Sequence, residues 1–132
     1  FIPNSPWILS VGEDRQVVCY DLRQGSIVWK QTIKGGKLLT LACLSPELMA
    51  VAGADNTIRI LSLRDGNEVN RWIGHDGSVA VLMQRGEHLI SGSYDTTIRT
   101  WDINQAFRPL EKHYLHPVSA RFIDSGVSES IR

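Results

Sequence analysis

Ser91, His75 and Asp95 supply a hydroxyl, an imidazole and a carboxylate, the set that activates a serine nucleophile. The same three groups can also form a buried hydrogen-bond chain. Ser91 lies in Ile90-Ser91-Gly92-Ser93, without the Gly-x-Ser-x-Gly elbow that presents a nucleophile at a strand end. The structural use is the reading adopted, and no catalytic residue is assigned. His113 and His116 are three apart, with no cysteine or second acidic ligand to complete a metal site, so no metal is assigned. Gly35-Gly36-Lys37 lacks the upstream glycine of a phosphate-binding loop and reads as a turn, so no cofactor is expected. Arg59 and Arg99 recur in Thr-Ile-Arg and are expected to line a strand face, covering apolar surface with their stems.

These residues sit inside a repeat. Leu89 to Ile103 reads as two short strands around the turn Tyr94-Asp95-Thr96. Met49 to Leu63 is a near-copy, and Ile8 to Leu22 a weaker one. Asp14, Asp55 and Asp95 hold the same place in each. A period of about 40 residues is that of a four-stranded propeller blade.

The strands follow from alternation and turn residues. Trp7–Val11, Val17–Asp21 and Ile27–Ile33 form the first unit, the last of them half-exposed. Leu38–Leu44, Leu48–Gly53, Thr57–Leu63 and Glu68–Ile73 form the second, with Leu38–Leu44 apolar enough for an inner strand buried on both faces. Val79–Met83, Leu89–Ser93, Thr97–Ile103 and Leu110–Leu115 form the third, and Val118–Ile123 could begin a fourth. No helical periodicity is evident. The expected organisation is a partial blade over 1–34, a blade over 35–73, a blade over 74–115, and the start of a further blade or a frayed tail over 116–132. The fold class is all-β: a fragment of about three four-stranded blades. One blade cannot bury both faces and must stack on neighbours, and about 4 to 8 are needed to close a ring. The rest of the ring is expected from further sequence or from self-assembly.

Composition narrows the function. Fourteen basic residues balance fourteen acidic ones among 132, so no net field favours nucleic acid or an anionic membrane. No apolar run approaches bilayer-spanning length. Cys19 and Cys43 form no Cys-x-x-Cys pair, and a reducing setting, cytoplasmic or nuclear, is expected. Phe1-Ile2-Pro3-Asn4 has neither an initiator Met nor a signal-peptide pattern, and the chain reads as an excerpt.

Gly74-His75 ahead of an inner strand, followed by Ser-Gly-Ser-x-Asp-x-Thr-Ile-Arg-x-Trp-Asp ending at Trp101-Asp102, resembles the WD-repeat family. The likeness extends through Leu115 and weakens in the other copies. Lys34-Gly35 stands for Gly-His and Leu61-Ser62 for Trp-Asp in the second unit, and Cys19-Tyr20-Asp21 keeps only the Asp in the first. The resemblance implies that His75, Ser91, Asp95 and Trp101 lie within hydrogen-bond reach. The indole N–H would donate to Ser91, Ser91 to His75, and His75 to Asp95. With only Asp55 of the four, the second unit is expected to rest mainly on apolar strands and to be softer.

The resemblance also implies a rigid platform for protein or peptide partners, with no chemistry of its own. Family members contact ligands just before the repeated Asp, at Glu13, Ala54 and Tyr94 here, and early in the inner strand, at Thr40 and Ala80. Tyr94 is the best of these, because a tyrosine offers large contact area at low entropic cost. The short hairpins Ser45-Pro46-Glu47 and Gln84-Arg85-Gly86-Glu87 are similar to those of F-box/WD proteins, substrate receptors of ubiquitin ligases. Those receptors often read phosphopeptides through arginines at the contact positions, and this chain has none there. Asp124-Ser125-Gly126, with Ser128 and Ser130, loosely resembles a phosphoserine degron and reads as a serine-rich end. The expected function is recruitment of a partner or substrate to a complex such as a ubiquitin ligase. The alternatives are a propeller enzyme whose site lies in absent blades, which clustered inward His or acidic residues would favour although none are evident in the sequence, and a self-assembling structural repeat.

Overall fold

A computed structural model describes residues 1–107 and 123–124. Its strands are β1 (Trp7–Val11), β2 (Gln16–Asp21), β3 (Ser26–Thr32), β4 (Leu38–Cys43), β5 (Leu48–Gly53), β6 (Ile58–Ser62), β7 (Glu68–Trp72), β8 (Val79–Arg85), β9 (His88–Ser93), β10 (Thr97–Asp102) and β11 (Ile123–Asp124). They make three antiparallel sheets in the orders β1-β2-β3, β4-β5-β6-β7 and β8-β9-β10-β11. The fold is all-β meanders, as the repeat predicts. β11 pairs with β10 and so belongs to the third sheet. The strand expected over Leu110–Leu115, the serine-rich end, and His113 and His116 lie outside the described residues. A short 3-10 helix at Ile103–Phe107, which no periodicity announces, follows β10.

Two cores lie between the sheets. Leu38, Met49, Val51 and Leu61 of the second sheet meet Val17 and the flanks of Leu9 and Val11 from the first. Ala50, Ala52, Ile58 and Ile60, on the opposite face, meet Val79, Leu82, Leu89 and Trp101 of the third. The second sheet is thus buried on both faces, so β5 is buried along its whole length. The reading of β4 as the strand buried on both faces is corrected. β4 is only partly covered and Leu39 is exposed, because β4 is the edge strand of its sheet and pairs on one side alone.

Polar ties join the sheets. Thr40 Oγ1 accepts from Leu82 N at 3.1 Å. Trp29 Nε1 donates to the Leu63 carbonyl at 2.7 Å, and Asn70 Nδ2 to that of Gln105 at 3.1 Å. Trp72 stacks on Trp101, centroids 5.3 Å apart. Gly66 allows the Trp29 tie: its φ is +79°, and a Cβ there would lie 2.5 Å from the Trp29 ring.

Unequal hairpins shift the repeat. β8 runs to Arg85 and turns in two residues, Gly86-Glu87, whereas four residues, 44–47, join β4 to β5. Leu38 therefore pairs with Gly53 as Val79 does with Ser93, and Thr40 with Ala52 as Val81 does with Gly92. Thr40 corresponds to Val81, not to Ala80. The same offset corrects the loop before it. Gly36 lies against the Ala54–Asp55 peptide as Gly77 lies against Tyr94–Asp95, so Lys34 rather than Gly35 occupies the place of His75.

Candidate functional site

Each sheet turns on the repeated aspartate, between β1 and β2, β5 and β6, and β9 and β10. Asp14, Asp55 and Asp95 each accept a hydrogen bond on Oδ1 from the backbone N–H two residues on, at 3.1, 3.2 and 2.8 Å. This side-chain-to-backbone bond closes the turn. The residue between is left-handed each time: Arg15, Asn56 and Thr96 have φ of 67°, 69° and 71°. A second device repeats at the ends of β2, β6 and β10. Asp21, Ser62 and Asp102 accept from the N–H of Arg23, Arg64 and Asn104.

In the third sheet the turn is anchored from below. His75 Nδ1 lies 2.8 Å from Asp95 Oδ2, His75 Nε2 2.6 Å from Ser91 Oγ, and Trp101 Nε1 donates to Ser91 Oγ at 2.8 Å. The four residues of the expected network are therefore brought together. The backbone N–H of Asp76 and the Thr97 hydroxyl also donate to Asp95, at 2.9 and 2.6 Å. Thr97 was not picked out from the sequence; its signal is the Asp-x-Thr spacing, which recurs as Asp55-x-Thr57.

Burial favours neutral His75, and although the bond to Asp95 and its charge pull the other way, the pKa falls below its ordinary value. The imidazole is neutral at pH 7, with its proton on Nδ1 toward Asp95 and Nε2 accepting from Ser91. Burial would raise the Asp95 carboxyl, but the bonds from Thr97, Asp76 and His75 outweigh it and hold the pKa well below the carboxylate range. These are the distances of a catalytic triad without its access. Ser91 is wholly buried, its oxygen is engaged by an indole N–H, and no substrate carbonyl can reach it.

The second sheet fills the same space differently. Arg59 is buried; its guanidinium meets Asp55 Oδ2 at 2.7 Å and Glu68 Oε1 at 3.1 Å, and donates to the Lys34 carbonyl at 3.1 Å. Arg71 meets Glu68 Oε2 at 2.6 Å. Arg59 is thus an ion-pair centre rather than a stem over apolar surface. The apolar strands expected to hold this sheet form its two cores, and the Arg59 cluster is a polar anchor added to them.

The residues expected to contact partners divide. Tyr94 is 74% exposed and, with Ala80, Val81, Thr96 and Ile98, lines a groove of about 250 Å3. Glu13 and Ala54 are exposed on the equivalent turns, Glu13 in a 3.4 Å surface pair with Lys37. Thr40 faces the neighbouring sheet and is engaged by Leu82 N. Among the described residues no cluster of His, Cys, Asp and Glu could hold a metal ion. Nor is any helix long and apolar enough to cross a membrane.

The family model "WD domain, G-beta repeat" matches residues 66–102. The chain belongs to the WD-repeat family. The match runs from the turn before β7 through β10, so the sequence repeat takes the outer strand of one blade and three strands of the next. WD-repeat relatives agree. The chain is 34% identical to nuclear distribution protein nudF of Aspergillus terreus over 74% of its length, and 30% identical to WD repeat-containing protein 82 of Drosophila melanogaster over 78%. It is 42% identical to nuclear distribution protein PAC1 of Gibberella zeae over 56%. The matched stretches span only 22%, 34% and 16% of those proteins. The three sheets are WD-repeat blades.

Proposed function

We propose that this WD-repeat chain is a protein-interaction platform, without catalytic activity of its own, that recruits a partner or substrate into a multiprotein complex such as a ubiquitin ligase. Its setting is intracellular, cytoplasmic or nuclear. The contact face is formed by the turns before the repeated aspartates, with Tyr94 as principal contact and Glu13 and Ala54 beside it.

One observation carries the reading. Tyr94, 74% exposed, stands on a turn whose neighbours are fixed by the His75–Ser91–Asp95–Trp101 network. A tyrosine on a backbone held this way presents large contact area at low entropic cost on binding. The free cysteines fit a reducing compartment. Burial, and then the charge of Asp21, push the Cys19 thiol up to about 11, so it is unreactive at neutral pH.

The test is affinity capture with the chain as bait, prey being identified by mass spectrometry. Tyr94→Ala and Glu13→Lys should each deplete the same specific prey, and ubiquitin-ligase subunits among them would support the finer reading. Capture unchanged by both substitutions would overturn the face.

A further inference from the structure

The two junctions between blades are built differently at the outer strands. Trp72 of β7 and Trp101 of β10 stack across the second junction. At the first, register puts Gln31 of β3 where Trp72 stands, opposite Val17 as Trp72 is opposite Ile58. Leu61 stands where Trp101 does. An amide and an aliphatic chain take less room than two indoles, and the Gln31 amide is held at the Asp65 carbonyl, 3.0 Å away. A crevice of about 270 Å3 lies there, between the outer edge strands β3 and β7. Its walls belong to two blades already stacked on each other, so no further blade of a ring would cover it.

The crevice is rich in donors. Buried Arg59 lines it, with Arg71 half-buried and Lys34 exposed. Lys34 has no ion-pair partner among the described residues. Glu68 is the one carboxylate lining it among those residues, and both its oxygens are engaged: Oε1 by Arg59 at 3.1 Å and Oε2 by Arg71 at 2.6 Å. With Asp55, which pairs with Arg59, two carboxylates stand against three cations. Asp65 does not line the crevice, and its carboxylate accepts from the Asn67 N–H. An incoming cation would therefore have to compete with two guanidinium groups for Glu68, whereas an incoming carboxylate meets an excess of positive charge.

We propose that this crevice is a second contact site, which takes an acidic side chain, Asp or Glu, from an extended segment of a partner protein. The carboxylate pairs with the Lys34 ammonium and draws on the positive charge of Arg59 and Arg71. Exposed Asn67 offers its Nδ2 as a further donor, since its Oδ1 already accepts from Gln31 Nε2 at 3.3 Å. A basic segment would meet like charge, which opposes binding. The site is independent of Tyr94, which stands on the third blade and does not line the crevice.

Nitrogen–proton correlation NMR of the full chain tests this, by titration with octapeptides of Gly and Ser carrying a central Glu-Glu, Gln-Gln or Lys-Lys pair. The Glu-Glu peptide should shift the backbone amides of Asn67 and Glu68, bind about 5-fold more tightly than the Gln-Gln peptide, and weaken with added salt. Lys34→Gln should weaken it about 3-fold. Asn67→Asp, which keeps the acceptor for Gln31 and adds a negative charge, should weaken it by a similar factor. The spectra of the free variants report whether each folds, and Tyr94→Ala should leave the binding unchanged. Equal binding of the Gln-Gln peptide, tighter binding of the Lys-Lys peptide, or indifference to both Lys34→Gln and Asn67→Asp overturns the acidic segment. Shifts confined to the turns at Glu13, Ala54 and Tyr94 overturn the crevice while supporting the face proposed above. Binding of none of the three peptides overturns this inference and leaves that face to its own test.

Discussion

Asp55 and Asp95 hold the same register position in neighbouring blades and close the same turn, yet each is anchored by different chemistry. Asp95 rests on a neutral imidazole, two hydroxyls and an indole, in a chain where each donor has an acceptor. Asp55 rests on a buried guanidinium shared with Glu68. The backbone turn is therefore the invariant part of the blade, and its anchor is interchangeable. The anchors differ in how they fail. The hydrogen-bond chain that loses His75 leaves a hydroxyl without its acceptor and the Asp95 carboxylate short of one donor, whereas the ion-pair cluster that loses Arg59 leaves Asp55 without its cation and Glu68 with Arg71 alone.

Removing Arg59 should accordingly be the most damaging change. Arg59→Ala is expected to destabilise the protein by about 3 kcal/mol, at the low end for broken buried pairs because Asp55 and Glu68 keep some solvent contact. Denaturant unfolding monitored by tryptophan fluorescence measures it. A loss under about 1 kcal/mol would mean that the pair is screened like a surface bridge, and the comparison between the blades would collapse.

His75→Ala should cost about 2 kcal/mol, since it removes the acceptor of the Ser91 hydroxyl and one donor to Asp95. It should also change the response to pH. The folded pKa of His75 lies below its unfolded value, so the unfolded chain binds a proton first as pH falls. The stability tied to His75 is complete above about pH 6.5 and is lost as pH falls below it. Asp95, depressed in the folded state, adds a further loss below about pH 4. Denaturant midpoints at pH 7.5 and 5.5 should fall more for the native chain than for His75→Ala. Equal falls would mean that His75 is not held neutral.

How much of this could be read from the sequence depends on the distance over which each feature is specified. Asp14, Asp55 and Asp95 close turns through bonds to residues two positions on, so the repeat displays them directly. The His75 network was legible because Gly-His and Trp-Asp accompany it. Arg59 was not, because its partner Glu68 lies beyond a hairpin, and a bulge between Ile60 and Leu61 sets which side chains oppose. The partial exposure of β4 was hidden for a related reason. Its apolar composition matches that of β5, and only sheet order makes one an edge and the other interior. The shift that puts Thr40 in the place of Val81 comes from hairpin lengths, which alignment on the aspartates alone does not register.

The stacked tryptophans sharpen the comparison at the junction of the two blades. Both indoles are almost wholly buried. Trp101 donates to Ser91, whereas among the described residues Trp72 Nε1 has no acceptor. Replacing either with Phe removes similar volume, but only Trp101→Phe breaks a bond within the network. Trp101→Phe should therefore destabilise by about 1 kcal/mol more than Trp72→Phe, measured by thermal unfolding of the two variants side by side. Equal losses would assign the Trp101 contribution to packing alone.

The smallest effect should be a gain. Thr96 and Asn56 are the left-handed residues of equivalent turns, with φ of 71° and 69°. A β-branched residue is strained there because its branched Cβ crowds the backbone, whereas asparagine tolerates the region. Thr96 offsets part of the strain by donating its hydroxyl to the Asp95 carbonyl at 2.5 Å. That bond is exposed and competes with water, so losing it should cost less than the strain relieved. Thr96→Asn should raise stability by about 0.5 kcal/mol, and the reciprocal Asn56→Thr should lower it by a similar amount. Opposite signs in the two blades would show that the turn's preference is local and independent of the anchor below it. A loss in Thr96→Asn alone would show that the third blade's network depends on the threonine hydroxyl as well, extending it by one residue beyond Thr97.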